Sequence, residues 1–352
     1  MEQFLLSLEK EIALRASEFS RRETFETIFF GGGTPSLLAP SIIEKILNQL
    51  HTLYRIEPNA EITLETNPGT VDLEKLRAFR SAGINRISMG IQSFHQDELN
   101  FLTRIHTEEE AEECVRNCYR AGFENVNFDL LFALPHQTIA RWKETLRRGI
   151  ALQPKHISAY SLIVEENTPL YSMVKSKQVS PLPEHLDADM YETTIETLTS
   201  HGYAQYEVSN FAHNGFESRH NKNYWNHANY LSFGPSAHSF WKTNATHGKR
   251  WWNARSVNQY CADLAVEKFP VSGEEVVDAQ KMFNEEIFLG LRSGGLDLKL
   301  LKNVYGADIF STHAMLLKKF EQEQFLSFDA ASLRLTSKGY MMCDAIAEKL
   351  LR

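Results

Sequence analysis

From residue 27 to residue 210 the sequence alternates between short strand-like runs and longer amphipathic ones, and no other feature restricts the fold so much. Strands are expected at 27–31, 61–66, 86–92, 125–132 and 156–163, with 205–210 as the last. Between them the spacing of apolar side chains predicts helices at 41–54, 73–81, 107–121, 138–153 and 185–201. Another helix is predicted at 3–18, with Glu9, Lys10 and Glu11 on its outward face. Asn67-Pro68-Gly69 stops the second strand, Gly83 and Gly122 end helices, and Thr107 to Glu110 reads as a capping box. Repeated βα units of this kind build a parallel sheet with helices packed on it.

The strands are more polar than a sheet buried on both faces tolerates. They carry Glu61, Thr63, Glu65, Ser88, Gln92, Asn127, Asp129, Ser158 and Tyr160. A partial parallel barrel with a wet interior fits them better than a solid core, and its chemistry belongs at the C-terminal strand ends. Those ends hold Gly31 to Thr34, Glu65 and Asn67, Gln92, Asp129, and Tyr160 to Ile163. At the first of them, Thr27-Ile28-Phe29-Phe30 runs straight into Gly31-Gly32-Gly33-Thr34-Pro35. Glycines at a strand end let backbone N–H groups approach a ligand, because no Cβ stands in the way. Pro35 fixes φ for the next segment, and Thr34 and Ser36 are placed to satisfy its free N–H groups. A plain glycine turn, and polar residues that merely satisfy one another, are the alternatives. They account for a strand or two more comfortably than for all of these.

A net charge of −8 gives no general basic face, and no apolar run is long enough to span a bilayer. Nucleic acid and a stable membrane anchor are therefore not expected partners. Met1-Glu2-Gln3 begins neither a signal sequence nor an anchor, and a cytoplasmic location is expected. Cys114 and Cys118 stand one helical turn apart; a buried helix stripe explains them better than a metal pair, since no second pair follows. Six of the 13 histidines lie between 201 and 247, and four of the 5 tryptophans between 225 and 252, which suggests a long irregular aromatic segment covering a site. Helices at 276–291, 298–304, 310–320 and 336–350, with a hairpin at 325–328 and 333–335, read as a small winged-helix-like appendage.

Gly31-Gly32-Gly33-Thr34-Pro35, Glu65-Thr66-Asn67-Pro68, Gly90-Ile91-Gln92-Ser93-Phe94, Arg104-Ile105-His106, Asp129 to Thr138 and His220-Asn221-Lys222-Asn223-Tyr224-Trp225 follow in order. Together they resemble the radical S-adenosylmethionine proteins of the oxygen-independent coproporphyrinogen III oxidase group, and within that group the haem chaperones. Leu335 to Tyr340 resembles the closing motif of the group's C-terminal domain. The resemblance implies an incomplete radical S-adenosylmethionine (β/α) barrel at 1–213, a His/Trp-rich covering segment at 214–272 and the group's C-terminal domain at 273–352. It implies that Gly32, Gly33 and Thr34 meet the methionine amino group of S-adenosylmethionine. Glu65, Gln92, Arg104 and Asp129 would hold its amino, carboxylate and ribose groups, with Ile163 beside the adenine. A zwitterion needs an acidic and a basic partner, and ribose hydroxyls suit a carboxylate. An internal Glu65–Arg104 ion pair is the alternative.

The same resemblance links His220, Tyr224 and Trp225 to haem, with His220 as axial ligand and the two aromatics stacked on the macrocycle. A structural His–Asn turn with two core aromatics is the alternative, and His227 and His238 are further candidate ligands. A [4Fe–4S] cluster held by a Cys-x3-Cys-x2-Cys loop after a first strand is also implied, but no such triplet occurs in the sequence. No catalytic or metal-binding residue is therefore assigned in this chain. A start placed downstream of that loop is the expected reason, a degenerate paralogue the alternative, and the edge of the 27–31 strand is expected to lie open. The implied function is to bind haem and pass it to an acceptor protein, more a carrier than an enzyme. The alternative is oxidative decarboxylation of coproporphyrinogen III in porphyrin biosynthesis, inactive without the cluster cysteines.

Overall fold

The computed structural model describes residues 1–19 and 22–351. In chain order the first elements are α1 (Glu2–Phe19), β1 (Thr24–Phe30), a 3-10 turn (Pro35–Leu37), α2 (Pro40–Leu53), β2 (Arg55–Thr66), α3 (Leu73–Ser81) and β3 (Arg86–Gln92). Then come α4 (Gln96–Phe101), α5 (Glu108–Arg120), β4 (Asn125–Phe132), α6 (Ile139–Ala151), β5 (His156–Ser161), α7 (Pro169–Lys175) and α8 (Glu184–Ser200). Short strands β6 (Ala204–Gln205) and β7 (Asn210–Ala212) precede α9 (Arg219–Trp225). The rest is β8 (His238–Asn244), β9 (His247–Asn253), α10 (Val257–Ala265), β10 (Val271–Val277), α11 (Ala279–Arg292), β11 (Leu296–Asp297), α12 (Leu298–Tyr305), α13 (Ile309–Gln322), β12 (Leu326–Phe328), β13 (Ser332–Leu335), α14 (Ser337–Tyr340) and α15 (Cys343–Glu348). Two compact units result, one of residues 28–44 and 61–218, the other of 1–27, 45–60 and 219–352.

The seven-stranded sheet runs β1-β2-β3-β4-β5-β7-β6, with β2 to β5 parallel and curled into a half-barrel. Its register explains the polar strands. Glu65 pairs with Ser88, Ser88 with Asn127, and Asp129 with Ser158, so these side chains share one face. The alternate residues Leu64, Ile87, Met89, Val126, Phe128, Leu130 and Ile157 are fully buried on the other face, where Leu76, Phe79, Val115, Trp142 and Leu146 of the helices are also buried. Each such side chain contributes about 1.5–3 kcal/mol by leaving water. Trp142 Nε1 donates to Thr194 Oγ1 at 2.8 Å and so pins α6 to α8. The capping box forms as expected, with Thr107 and Glu110 satisfying each other's backbone N–H groups.

The expected strand at 205–210 is instead two, and both run antiparallel: β7 pairs with β5, and β6 with β7. The turn between them carries Glu207, whose carboxylate accepts from Ser209 N, and this breaks the run that β propensity alone extends.

The other unit corrects three readings. The segment 214–272 is not irregular. It holds α9, β8, β9 and α10 and, with β10 at its end, builds a three-stranded antiparallel sheet ordered β10-β9-β8 whose Phe240, Trp241 and Trp251 are buried. Its strands are broken by bulges at Lys242/Asn244 and Val271/Gly273, which hid their period from the sequence. Val276 and Val277 belong to β10, so the following helix starts at Ala279, capped by Asp278. Glu11 does not face out: it is 0% exposed, because the stripe Ser7–Glu11–Arg15 at helical spacing turns inward beside Ile12. The C-terminal helices α11, α12, α13 and α15 pack around the small sheet β11-β13-β12 through Phe283, Ile287, Leu301, Leu317, Leu333 and Ile346. This is the expected winged-helix-like appendage, although its closing helix is two short ones, α14 and α15.

Candidate functional site

Where β1 ends, the backbone turns past Gly31 to Gly33. Gly32 has φ +82°, a left-handed conformation open to glycine, and its N–H donates to Glu65 Oε2 at 3.2 Å. A Cβ on Gly31 would sit 2.5 Å from the Phe29 ring and 2.8 Å from Glu65 Oε1. Only glycine lets the Glu65 carboxylate rest against this ledge. Gly90 plays the same part at β3: a Cβ there would meet Asn67 Oδ1 at 2.7 Å and Gln92 Nε2 at 3.1 Å. Gln92 itself has φ +69°, beyond an irregularity in the β3–β4 register, which turns its side chain from the strand's alternation. Arg104 Nη1 donates to Asn67 Oδ1 at 3.1 Å. Asn67, expected at the end of its strand, thus joins the Gly90, Gln92 and Arg104 positions.

Charge here is kept under tension. Burial, then the nearby Asp129, holds the Glu65 carboxyl above the ordinary carboxylate range, and the Gly32 N–H offsets part of this. Asp129 is pushed up by burial as well, against hydrogen bonds from Asn127, Ser158 and Ser88. Burial lowers Arg104, and Asp129 opposes that shift. Two carboxyls and one guanidinium therefore face one another across strand ends without full compensation, as suits a site that receives a ligand with both charges. Gly33 and Thr34 lie on the same ledge. Thr34 makes no capping hydrogen bond to the 3-10 turn, and Ser36 bonds Thr70 Oγ1 instead, so the expected capping by these two does not form. Ile163 lies past the end of β5 and is 73% exposed.

Deeper in the half-barrel the polar residues do satisfy one another. Asn127 Nδ2 donates to Ser88 Oγ at 2.7 Å and to Asp129 Oδ1 at 2.8 Å, and Asn127 Oδ1 lies 2.6 Å from His156 Nδ1. His156 Nε2 lies 2.7 Å from the Tyr206 hydroxyl. Burial, then the Arg86 charge, keeps His156 well below its usual value and so neutral.

The second group of candidates sits on α9. Arg219 anchors its start, donating to Asn59 O and pairing with Glu57 at 3.2 Å and Glu26 at 3.4 Å. His220 Nδ1 is 2.9 Å from Thr27 Oγ1, and its ring meets Tyr224, one turn on, edge to face at 5.1 Å. Tyr224 is 38% exposed and lines an open cleft of about 400 Å³ with Tyr230, Phe240, Phe288, Leu289 and Leu351. Trp225 does not line it. His227 is no open ligand: it is 4% exposed, with Nε2 2.9 Å from Glu285 and Nδ1 3.1 Å from Glu286. Burial lowers its pKa, but the hydrogen bonds to these glutamates outweigh that and raise it. The acidic pair comes from α11, far along the chain, so only its place on an amphipathic helix signalled it. His238 is exposed and stacks on Trp252 at 5.7 Å.

The cysteines do not fit an iron–sulfur cluster. All four are buried and unpaired, and only Cys114 and Cys118 share an element. The hydrogen bond that the Cys118 thiol makes to Cys114, then burial, raises Cys118 far above the usual thiol value, whereas a cluster requires thiolates. Among the described residues no group of three or more His, Cys, Asp or Glu side chains is placed to hold a metal ion, and no helix is long and apolar enough to cross a membrane. The glycine ledge, by contrast, suits S-adenosylmethionine, since Gly31 and Gly90 let Glu65, Asn67 and Gln92 lie against the backbone while the space beside Gly32 and Gly33 is open.

The Radical SAM superfamily model matches residues 6–149, and that of the HemN C-terminal domain residues 277–342. The superfamily as such implies S-adenosylmethionine and a [4Fe–4S] cluster. Over 344 residues the chain is 31% identical to the heme chaperone HemW of Bacillus subtilis (strain 168), covering 97% of this chain and 89% of that protein. It is 42% identical over 226 residues to the heme chaperone HemW of Haemophilus influenzae, covering 64% of this chain and 57% of the relative. The solved coproporphyrinogen III oxidase HemN of Escherichia coli matches with a TM-score of 0.83 over 99% of this chain and 82% of its own, at 23% identity, which is a likeness of fold. Extent and identity together show that this chain belongs to the HemW family of radical SAM proteins.

Proposed function

We propose that the protein is a haem chaperone, binding haem at α9 and passing it to an acceptor protein. The carrying observation is that His220 and Tyr224 share one face of α9, their rings 5.1 Å apart, beside an aromatic cleft. The imidazole of His220, whose Nδ1 lies 2.9 Å from Thr27 Oγ1, is in this reading the axial ligand of haem iron. The relatives named as heme chaperones support this reading across nearly the whole chain. Four unpaired, buried cysteines agree with work in the reducing cytoplasm. In the same reading Gly32, Gly33, Thr34, Glu65, Gln92, Arg104 and Asp129 hold S-adenosylmethionine, with Ile163 at its adenine. Glu65 and Asp129 accept from its amino and ribose groups, and Arg104 and Gln92 donate to its carboxylate. When bound, that molecule supplies a sulfonium-bearing nucleoside.

Hemin titration followed by the Soret band tests the haem assignment. The wild type is expected to give a histidine-ligated spectrum that His220→Ala loses, with affinity falling about ten-fold, or 1.4 kcal/mol. Identical spectra for the two proteins would remove His220 as the ligand.

A further inference from the structure

We propose that the cleft formed by Tyr224, Tyr230, Phe240, Phe288, Leu289 and Leu351 is the seat of the porphyrin ring itself. This rests on the haem reading but adds the place where the macrocycle is held, which the histidine alone does not define. The walls come from separate parts of one unit: Tyr224 from α9, Phe240 from β8, Phe288 and Leu289 from α11, and Leu351 from beyond α15. Its volume of about 400 Å³ lies within the usual size of ligand clefts, roughly 300–1,000 Å³.

Its aromatic lining suits a flat conjugated ring. Tyr224 and Tyr230 meet edge to face at 4.8 Å, and Tyr230 lies tilted to Phe240 at 6.1 Å. Such rings offer both faces and edges to a π-system. Phe240, 1% exposed, is held by the His227 imidazole, stacked at 4.8 Å and 15°, and His227 lines the cleft beside it. Tyr224 at 38% and Phe288 at 36% exposed remain partly in water, an unfavourable place for aromatic carbon unless a ligand covers it. On one wall Arg250 lies 5.5 Å over the Phe240 ring, its charge paired with Glu285 at 2.9 Å and Glu275 at 3.4 Å. The occupant is thus a flat, largely apolar macrocycle. Tyr224 joins this seat to the axial histidine, because it faces both the cleft and His220.

Metal-free protoporphyrin IX separates ring recognition from iron ligation, because it has no metal to take a histidine nitrogen. The full chain is titrated with hemin and with the metal-free porphyrin, following absorbance and tryptophan quenching. Phe288→Ala removes a half-exposed aromatic wall and Leu289→Trp fills the space; thermal melting confirms that each variant folds. Each is expected to weaken both porphyrins about ten-fold or more, the size of one lost aromatic contact. For His220→Ala the loss is larger with hemin than with the metal-free ring. If both cleft variants fold and bind both porphyrins like the wild type, the seat lies elsewhere while the haem reading stands. If the wild type binds neither porphyrin, both the seat and the haem reading fall.

Discussion

Single residues in this chain act through what they exclude or hold rather than through their own bulk. Gly31 is the sharpest case, since a Cβ would press on both the Phe29 ring and the Glu65 carboxylate. Gly31→Ala should displace Glu65 from the ledge and weaken S-adenosylmethionine about ten-fold in calorimetric titration, or 1.4 kcal/mol. Unchanged affinity would show that Glu65 does not reach this ligand. His227 acts by charge. Its pKa is raised in the fold by Glu285 and Glu286 against the effect of burial. A group held this way stabilises fully below its unfolded value of about 6.5, and the contribution fades as pH rises through the higher folded value. Deprotonation leaves one ring N–H and removes the charge and the other donor, which costs about 1–3 kcal/mol, so urea midpoints should fall as pH rises from about 6.5 through the higher folded value. His227→Gln should flatten the slope over that window. A wild-type slope that matches the variant's would remove the clamp.

Among the elements, those with an unbroken period were legible and those shaped by partners were not. Strands 86–92 and 125–132 and helix 73–81 are found where the sequence places them. Each has a regular stripe, bounded by a glycine or a helix cap. In β8 to β10 the bulges break the alternation, and an aromatic-rich sheet reads as irregular. The polar inner face of the half-barrel was visible in Glu65, Asn67 and Asp129, but the partners of Asn67 were not, since Arg104 and Gly90 come from other loops and strands. Glu11 failed for the same reason: only long-range contacts show why a carboxylate is tolerated inside. Its oxygens accept from Gly234 N at 2.9 Å, Asn253 Nδ2 at 2.7 Å and the Tyr260 hydroxyl at 2.7 Å, so α1 is tied to β9, α10 and the loop before β8. All the partners are donors. Glu11→Gln turns an NH₂ toward one of them and should cost about 1–3 kcal/mol in urea denaturation, the penalty of an unsatisfied buried donor. A neutral result would mean that α1 is held by its apolar stripe alone.

Across the whole molecule, family membership and the chemistry of this chain's own side chains part company at the iron–sulfur cluster. The superfamily match implies the cluster, yet the thiols of residues 1–352 are dispersed over α5, α10 and α15. Each is buried, and Cys118 is held protonated by its neighbour. A cluster needs several thiolates converging on one point, and moving these thiols together would require opening packed helices. Cys114 and Cys118 lie on the buried stripe of α5 with fully buried Ala111 and Val115, so bringing their thiols to a cluster would mean unpacking that stripe. Anaerobic incubation of this chain with iron and sulfide should therefore leave no iron bound after gel filtration and no sulfide-to-iron charge-transfer band. A variant carrying a Cys-x3-Cys-x2-Cys segment ahead of Met1 should retain both. Hemin binding by the unextended chain should be unaffected by the same treatment, because His220 and the aromatic cleft involve no thiol. Stoichiometric iron and sulfide on residues 1–352 would mean that the buried cysteines rearrange, and the assignment of cluster-free haem binding to this chain would then have to be abandoned.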